Sequence, residues 1–355
     1  MLTVLLKAGI MKNVGVIFLI TIVATIIYQF NLPPPPRLCG LPGGPPITAP
    51  RVKLRDGRYL AYKEIGVPKE NAKFKVIFVH GFGNSRHDVV VAANLPRRFI
   101  EQLGLYIVSF DRPGYGESDP DPKRTVKSMA LDIEELADQL KLGDTFYLIG
   151  FSMGGQTVWG SLKYIPHRLA GAALLAPVVN YWWSGFPADL AKEAFQKQAP
   201  QDQWAQTVVY YFPRLTYWWN TQKLFPGSSV AAGKAELSPQ DLELIPKIIS
   251  LGTDHRGQVK QQGEFESLHR DMMIGFGSWE FSPINLTDPI PSRQGSVHLW
   301  QGNEDTLVPV TLQRYIAQKL PWIKYHEVAG AGHLFPFATG MAEAILRALL
   351  LGVDP

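Results

Sequence analysis

The sequence predicts an α/β fold in which a mostly parallel sheet carries helices on both faces. Strand and helix patterns alternate from residue 51 to residue 177, as expected when parallel strands are joined by crossover helices. A serine flanked by two glycines follows one apolar run near the middle of the chain, and two polar loops follow apolar runs near its end. With 355 residues, 46% of them hydrophobic, the chain can form one large core.

The first part of the predicted core spans residues 51–177. It begins with two strands, at 51–55 and 59–65, which Asp56 and Gly57 join in a hairpin turn. The strand and helix patterns that follow alternate up to the end of this part. We therefore expect strands covered by helices on both sides.

An insertion of different character follows this first part. From residue 178 to residue 291 the alternation stops, and the pattern favours helices at 190–198, 204–212 and 242–249. Residues 292–355 again contain apolar, strand-like runs and are assigned to the core. The chain is thus predicted to have an α/β core interrupted by a helical segment.

One serine lies at a predicted turn between a strand and a helix. The apolar residues 146–149 precede Gly150-Phe-Ser-Met-Gly154, and a helix-compatible stretch follows. A tight turn here holds the hydroxyl of Ser152 out at the end of the sheet, and glycines flank it because a Cβ would collide with the neighbouring strand or helix. This pattern is typical of a nucleophile elbow, so Ser152 is predicted to be a nucleophile. An ordinary turn serine is the alternative.

Asp305 and His333 are predicted to activate this serine. A serine hydroxyl is a weak nucleophile until a base removes its proton, and the base needs an acid that orients it. Asp305 follows the strand predicted at 296–301, and His333 follows the strand predicted at 323–328. Both residues are therefore expected just beyond the carboxyl ends of strands.

Other residues could take these roles. Asp305 could instead cap the helix predicted at 306–318, and Glu304 is the neighbouring carboxylate. The seven other histidines are assigned elsewhere: His298 and His326 to strands, His80 to bracing a loop, and His87, His167, His255 and His269 to polar surroundings.

A further loop is expected to stabilise negative charge on a substrate. The strand predicted at 75–79 ends in His80-Gly-Phe-Gly83. The backbone N–H groups of Phe82 and Met153 are assigned as oxyanion donors. Two such donors are worth about 3 kcal/mol or more each in comparable sites.

Together, these motifs resemble those of the α/β-hydrolase fold superfamily. The chain order serine, acid, histidine occurs in that family. The turn at 111–119, after the strand predicted at 105–110, is similar to the turn after the fourth core strand in family members. The resemblance covers most of residues 52–355, looks closest to membrane-anchored plant members, and implies an eight-stranded sheet with a helical cap between strands 6 and 7.

The resemblance also implies an acid and an activity. The family pattern of Gly followed by two residues and Asp places the acid at Asp305 rather than Glu304, and residues 176–180, where some members carry the acid, contain no carboxylate. The implied activity is that of a serine hydrolase that cleaves a carboxylic ester through an acyl-serine. An acyltransferase with the same triad and a ligand receptor without turnover are the alternatives.

Aromatic residues in the insertion bear on the substrate. They are Tyr181, Trp182, Trp183, Phe186, Tyr210, Tyr211, Phe212, Tyr217, Trp218 and Trp219. More than half of these rings are expected to pack the insertion on the core, and the others to line an apolar tunnel above Ser152. Such a tunnel would suit a lipid-like ester.

An uncharged apolar segment near the N-terminus is predicted to be a transmembrane anchor. Residues 14–30 would form a helix of about 26 Å, close to the hydrocarbon thickness of an endoplasmic-reticulum membrane. Lys7 and Lys12 lie in the tail at 1–13, and Arg37 follows the segment. This distribution favours a single-pass endomembrane protein with its catalytic domain on the lumenal side. A cleaved signal peptide is the alternative, although no small-x-small site follows.

The next segment is predicted to be a spacer. Residues 31–50 contain eight prolines, a composition typical of a partly stiff linker.

Charge and motif content limit the partners. A net charge of +4 is too small to favour nucleic acid. The chain has neither a Gly-rich phosphate loop after its first strand nor a His-Glu-x-x-His pair, so no nucleotide cofactor or catalytic metal is expected. The single cysteine, Cys39, excludes an intrachain disulfide. The predicted partners are a small-molecule or lipid ester and a membrane, and the sequence does not define the oligomeric state.

Overall fold

A sheet of eight strands forms the centre of the fold, which the computed structural model describes over residues 13–23, 25, 29, 32–93, 95–251, 255–290 and 295–353. In chain order the strands are β1 (Arg51–Lys53), β2 (Tyr59–Gly66), β3 (Phe74–Val79), β4 (Leu105–Phe110), β5 (Phe146–Phe151), β6 (Leu169–Leu175), β7 (Val297–Gly302) and β8 (Ile323–Val328). They lie in the order β1-β2-β4-β3-β5-β6-β7-β8. Strand β2 is antiparallel to both neighbours, and the other neighbouring pairs are parallel. The predicted eight-stranded, mostly parallel sheet is confirmed.

Helices cover both faces of this sheet. From residue 51 onward the described helices of the core and of the insertion are α1 (Arg97–Leu103), α2 (Val126–Gln139), α3 (Gly154–Tyr164), α4 (Ala188–Gln196), α5 (Pro200–Tyr211), α6 (Thr216–Thr221), α7 (Pro239–Ser250), α8 (Arg256–Val259), α9 (Arg270–Phe276), α10 (Val310–Lys319) and α11 (Met341–Leu351). On one face α2, α3 and α10 pack through Ile133, Trp159 and Leu312. On the other face α1 and α11 pack through Phe99 and Ile345. The strands serve both layers because successive side chains point to opposite faces.

Helices α4 to α9 form an insertion between β6 and β7, as predicted for a helical cap. The helices predicted at 190–198, 204–212 and 242–249 correspond to α4, α5 and α7. Helices α5 and α7 begin earlier than predicted, because Pro200 and Pro239 occupy the first helical position, where a missing N–H removes no helical hydrogen bond. Helices α6, α8 and α9 were not predicted, since four to seven residues are too few to show a helical period.

The boundaries of the insertion remain predictions. The boundary between residues 177 and 178 lies just after β6, in a loop. The boundary between residues 291 and 292 lies outside the described residues.

The segment predicted to be a spacer is attached to the domain. The N–H of Arg37 donates to the carbonyl oxygen of Gln262 at 2.9 Å. Cys39 is buried, and burial raises the pKa of its thiol to about 11. The hydroxyl of Thr48 donates to Oε1 of Glu117 at 2.6 Å. Residues 37–50 therefore do not act as a free spacer.

The predicted anchor falls partly outside the described residues. Of the segment 14–30, the structure describes 14–23, 25 and 29, and residues 13–23 are helical. In the described part of the chain, no helix combines the length and the apolar character needed to cross a membrane. Of the tail at 1–13, only residue 13 is described. The membrane anchor and its orientation remain predictions.

Candidate active site

Ser152 lies at a sharp turn between strand β5 and helix α3. Its φ of 53° falls in the left-handed region that non-glycine residues rarely adopt. A Cβ on Gly154 would lie 2.3 Å from the carbonyl oxygen of Val79, and a Cβ on Gly150 would lie 2.5 Å from the carbonyl oxygen of Gly154. The two glycines are therefore needed for the close crossing of strand and helix that holds Ser152 in this strained conformation.

The structure brings together the three side chains that the sequence singled out. Nε2 of His333 lies 2.9 Å from Oγ of Ser152, and Nδ1 of His333 lies 2.8 Å from Oδ2 of Asp305. The Asp305 carboxylate accepts the Nδ1–H of the ring, which leaves Nε2 unprotonated. In this tautomer Nε2 can take the proton of the Ser152 hydroxyl.

Four hydrogen bonds hold the carboxylate of Asp305. Besides His333, Oδ2 accepts from Nε2 of Gln301 at 2.8 Å. Oδ1 accepts the N–H groups of Leu307 and Val308, each at 2.9 Å. A carboxylate held on both oxygens cannot rotate away from the imidazole, so the orientation of His333 is fixed.

The two alternatives for this carboxylate are not supported. Helix α10 begins at Val310, four residues later than the predicted helix, and its N-cap is Pro309. Asp305 therefore orders the loop before the helix and does not cap the helix itself. The neighbouring Glu304 is exposed.

Asp241, in the insertion, is a site residue that sequence reasoning missed. It is fully buried at the start of α7, and its carboxylate accepts the N–H groups of His333 at 2.9 Å and Leu334 at 2.6 Å. The hydroxyl of Ser238 accepts the N–H of Asp241 at 3.1 Å, which fixes the first turn of α7. The Ser-x-x-Asp pattern that marks this helix start was the available signal, but nothing in it points to His333.

Two carboxylates act on the protonation of His333. Burial alone would lower its pKa, but the charge and hydrogen bond of Asp305, together with the charge of Asp241, outweigh burial and raise that pKa above its ordinary value of about 6.5. Because only the neutral imidazole can accept a proton, we expect a base-dependent activity to rise with pH through a pKa above this ordinary value.

Replacing Asp241 by asparagine should move this rise to lower pH. The substitution removes one of the two negative charges that favour protonated His333, so the neutral base persists to more acidic conditions. The measurement is kcat/KM for a neutral ester between pH 5 and pH 9. Glu243→Gln, which changes an exposed carboxylate of the same helix, is the control and should leave the profile in place. If the rise of kcat/KM with pH stayed in place in the Asp241 variant, the charge of Asp241 would not be one that raises the pKa of His333.

The two predicted oxyanion donors lie beside Ser152. Phe82 and Met153 line the same cavity as Ser152 and His333. A Cβ on Gly81 would lie 3.2 Å from Cβ of Ser152, so the loop after β3 closely approaches the serine. Within the described part of the chain, neither the N–H of Phe82 nor that of Met153 has a protein acceptor. Both groups are therefore available to a bound oxygen atom.

A cavity of about 70 Å³ opens onto Ser152 and His333. Its apolar lining includes Met272 and Phe276, both from α9. Asp202 and Gln206, from α5, add polar groups to the wall, and Oε1 of Gln206 has no hydrogen-bond partner among the described residues. The insertion thus covers the serine with a mainly apolar wall that carries one polar strip.

The cavity at Ser152 is not the predicted aromatic tunnel. None of the aromatic residues proposed for it lines this cavity. Instead, Trp182 stacks on Tyr210 with ring centroids 4.5 Å apart, and Trp183 contacts Trp279 at 4.9 Å. These rings pack the insertion together and onto the core, as expected for the larger share of them.

The other histidines have other partners. Two pairs contact each other: His298 Nδ1 lies 2.9 Å from His326 Nε2, and His87 stacks on His255. His167 lies 3.1 Å from Glu134, and His269 contacts the ring of Tyr217. His80 contacts the backbone of Gly81. Over the described ranges, no group of three or more His, Cys, Asp or Glu side chains is placed to hold a metal ion.

Comparisons with known proteins agree with this arrangement. A sequence model of the alpha/beta hydrolase fold family matches residues 75–338. No curated protein sequence matches the chain. Among solved structures, an esterase from Thermogutta terrifontis is similar at 21% identity, with a TM-score of 0.55 over 84% of this chain and 97% of the esterase. An enol-lactonase from Burkholderia xenovorans LB400 is similar at 17% identity, with a TM-score of 0.53 over 84% and 97%. At these identities the likeness concerns the fold.

Proposed function

The chain belongs to the alpha/beta hydrolase fold family, and we propose that it is a serine hydrolase that cleaves a carboxylic ester through an acyl-serine intermediate. The observation that carries this proposal is the position of His333, whose Nε2 lies 2.9 Å from Oγ of Ser152 and whose Nδ1 lies 2.8 Å from Oδ2 of Asp305. A neutral imidazole placed between a hydroxyl and a carboxylate makes the hydroxyl a competent nucleophile at neutral pH.

The proposed reaction has two halves. In the first, Nε2 of His333 takes the hydroxyl proton as Oγ of Ser152 bonds to the ester carbonyl carbon, and the same proton passes to the alcohol that leaves. In the second, His333 takes a proton from water as the water oxygen attacks the acyl-serine, and it returns that proton to Ser152 as the acid departs. Asp305 stabilises the imidazolium that forms in each half without becoming protonated.

Negative charge on the carbonyl oxygen is stabilised by the backbone in this proposal. The N–H groups of Phe82 and Met153 have no protein acceptor in the described part of the chain and lie beside the serine. Donors that are fixed before the reaction need no reorganisation as charge develops, which makes them worth about 3 kcal/mol or more each.

The cavity favours a small substrate. Pockets that bury drug-sized ligands measure about 300–1,000 Å³, whereas this cavity measures about 70 Å³. A short acyl group fits, and a long lipid chain would require the insertion to move. Oε1 of Gln206 has no partner in the described part of the chain, which favours an acyl group that carries a hydrogen-bond donor such as a hydroxyl.

The test combines covalent labelling with turnover. We expect a fluorophosphonate to label the peptide that contains Ser152, and 4-nitrophenyl butyrate to be hydrolysed over many turnovers. Turnover should fall from butyrate to palmitate and rise from butyrate to 3-hydroxybutyrate. Release of a single equivalent of 4-nitrophenol would favour a receptor, and capture of the acyl group by added glycerol would favour an acyltransferase. If the fluorophosphonate did not label the protein and no ester were turned over, the proposal would be refuted.

A further inference from the structure

We propose that Arg112 is a positioning residue for the oxyanion site, and that it orients and polarises the peptide group between Gly81 and Phe82. This inference rests on the proposed function, since it assigns the N–H of Phe82 to the oxyanion. It concerns residues of the turn after β4 and of the insertion, neither of which contacts the substrate carbonyl in the proposed mechanism.

Two side chains hold the carbonyl oxygen of Gly81. That oxygen accepts a hydrogen bond from Nη2 of Arg112 at 2.9 Å and another from Nδ1 of His80 at 2.8 Å. The N–H of the same peptide group belongs to Phe82. A peptide group is planar, so fixing its carbonyl oxygen on two donors also fixes the direction of its N–H. A cation at the carbonyl end also draws electron density away from the N–H and strengthens it as a donor.

His80 acts here as a neutral donor. Its Nε2 accepts the N–H of Arg112 at 3.1 Å, so its ring proton lies on Nδ1, which faces the Gly81 oxygen. Burial, together with the positive charge of Arg112, lowers the pKa of His80 well below its ordinary value. The carbonyl is therefore held by one neutral and one charged group over the working pH range.

A carboxylate from the insertion holds the guanidinium in place. Asp271, the second residue of α9, accepts from Nη1 of Arg112 at 2.8 Å and also pairs with Arg124 at 2.7 Å. The hydroxyl of Tyr115 donates to Asp271 at 2.6 Å. Arg112, Arg124 and Asp271 are each 3% exposed. Because Asp271 also pairs with Arg124, its carboxylate is fixed in position, and the fork of Arg112 is held between this carboxylate and the Gly81 carbonyl oxygen.

Arg124 provides a matched control within the same cluster. It is as buried as Arg112 and pairs with the same carboxylate, but its other hydrogen bond goes to the carbonyl oxygen of Pro113 at 2.9 Å. Lysine at either position keeps the charge but cannot reproduce the forked guanidinium contacts. Arg112→Lys and Arg124→Lys should therefore cost similar stability, and only the first should disturb the peptide between Gly81 and Phe82.

The experiment compares the two lysine variants with the unmodified chain. For 4-nitrophenyl butyrate we expect Arg112→Lys to lower kcat about 10- to 100-fold with KM changed less than about threefold. The reason is that the hydrogen bond from the N–H of Phe82 to the substrate oxygen strengthens as the oxyanion forms. The inhibition constant of butaneboronic acid, which forms a tetrahedral adduct with a serine hydroxyl, should rise by the same factor as kcat/KM falls. Arg124→Lys should keep kcat within about threefold.

Several results would overturn this inference. They are equal losses of kcat in the two variants, a change of KM alone in Arg112→Lys, and an unchanged inhibition constant for the boronic acid. Should Arg112→Lys fail to fold, His80→Phe removes the other hydrogen bond to the same carbonyl, and an unchanged kcat in that variant would refute the inference. Failure of the proposed function would appear in the unmodified chain, as absent labelling and turnover, and is thus distinguishable.

Discussion

Replacing Ser152 by alanine is expected to lower kcat for ester hydrolysis about 10⁶-fold, and replacing His333 in the same chain should cost almost nothing more. In the proposed mechanism the hydroxyl and the imidazole, 2.9 Å apart, act in one step in which the oxygen attacks while the ring takes its proton. Once the nucleophile is absent the base has no proton to remove, so the two losses are not additive.

The measurement is a double-mutant cycle on kcat with 4-nitrophenyl butyrate. Ser152→Ala, His333→Ala and the double variant should show similar residual rates, which the oxyanion donors and substrate binding still provide. Ser161→Ala is the control: this fully buried serine of α3 donates only to the carbonyl oxygen of Thr157 in the described structure, and its loss should leave kcat unchanged.

Two outcomes would contradict the proposed roles. If kcat of the double variant fell by the product of the two factors measured for the single variants, Ser152 and His333 would act in separate steps. If Ser152→Ala retained the rate of the unmodified chain, the nucleophile would be another group, and the strained turn would have only a structural role.

The strands were the part of the fold that the sequence predicted best. The predicted runs at 105–110 and 323–328 coincide with β4 and β8. Strand β4 is a central strand whose six residues are all buried, so it appears as an apolar segment bounded by turn residues, whereas β8 lies at the edge of the sheet and was bounded by the turn residues on either side. Short helices carry no such signal, which is why α6, α8 and α9 of the insertion emerged only from the structure.

The meeting of Ser152, Asp305 and His333 was predictable because each of these residues follows the carboxyl end of a strand. Its supporting residues were not. Asp241 and His333 are 92 residues apart in the chain, and Arg112 and Asp271 are 159 apart. Such pairs depend on how the insertion packs on the core, and no local sequence pattern indicates which residues of the two parts come into contact. The prediction of an aromatic tunnel was wrong for the same reason. The number of aromatic residues in the insertion does not indicate which rings face Ser152.

The attached segment at 37–50 shows a further limit of composition. Its prolines predicted a spacer, but Thr48 and Cys39 are fixed by side chains that lie far from them in the sequence. Proline restricts the φ angle of its own residue but does not determine whether the segment packs on the rest of the protein.

Replacing Asp305 by asparagine is expected to lower kcat about 10⁴-fold at neutral pH without unfolding the chain. The amide oxygen of asparagine can still accept the N–H groups of Leu307 and Val308, which order the loop. Its NH₂ group then takes the place of Oδ2 and faces both Nδ1 of His333 and the NH₂ group of Gln301.

That substitution reverses the hydrogen bond on the imidazole. A donor opposite Nδ1 favours the tautomer with the proton on Nε2, and this nitrogen then cannot accept the hydroxyl proton of Ser152. Gln301 cannot relieve the clash by turning its amide, because its Nε2 also donates to the carbonyl oxygen of Val308 at 3.0 Å. The measurement is kcat with 4-nitrophenyl butyrate, alongside thermal unfolding. Glu304→Gln, which removes the exposed neighbouring charge, should leave kcat unchanged. A large loss in the Glu304 variant and none in the Asp305 variant would move the acid to residue 304.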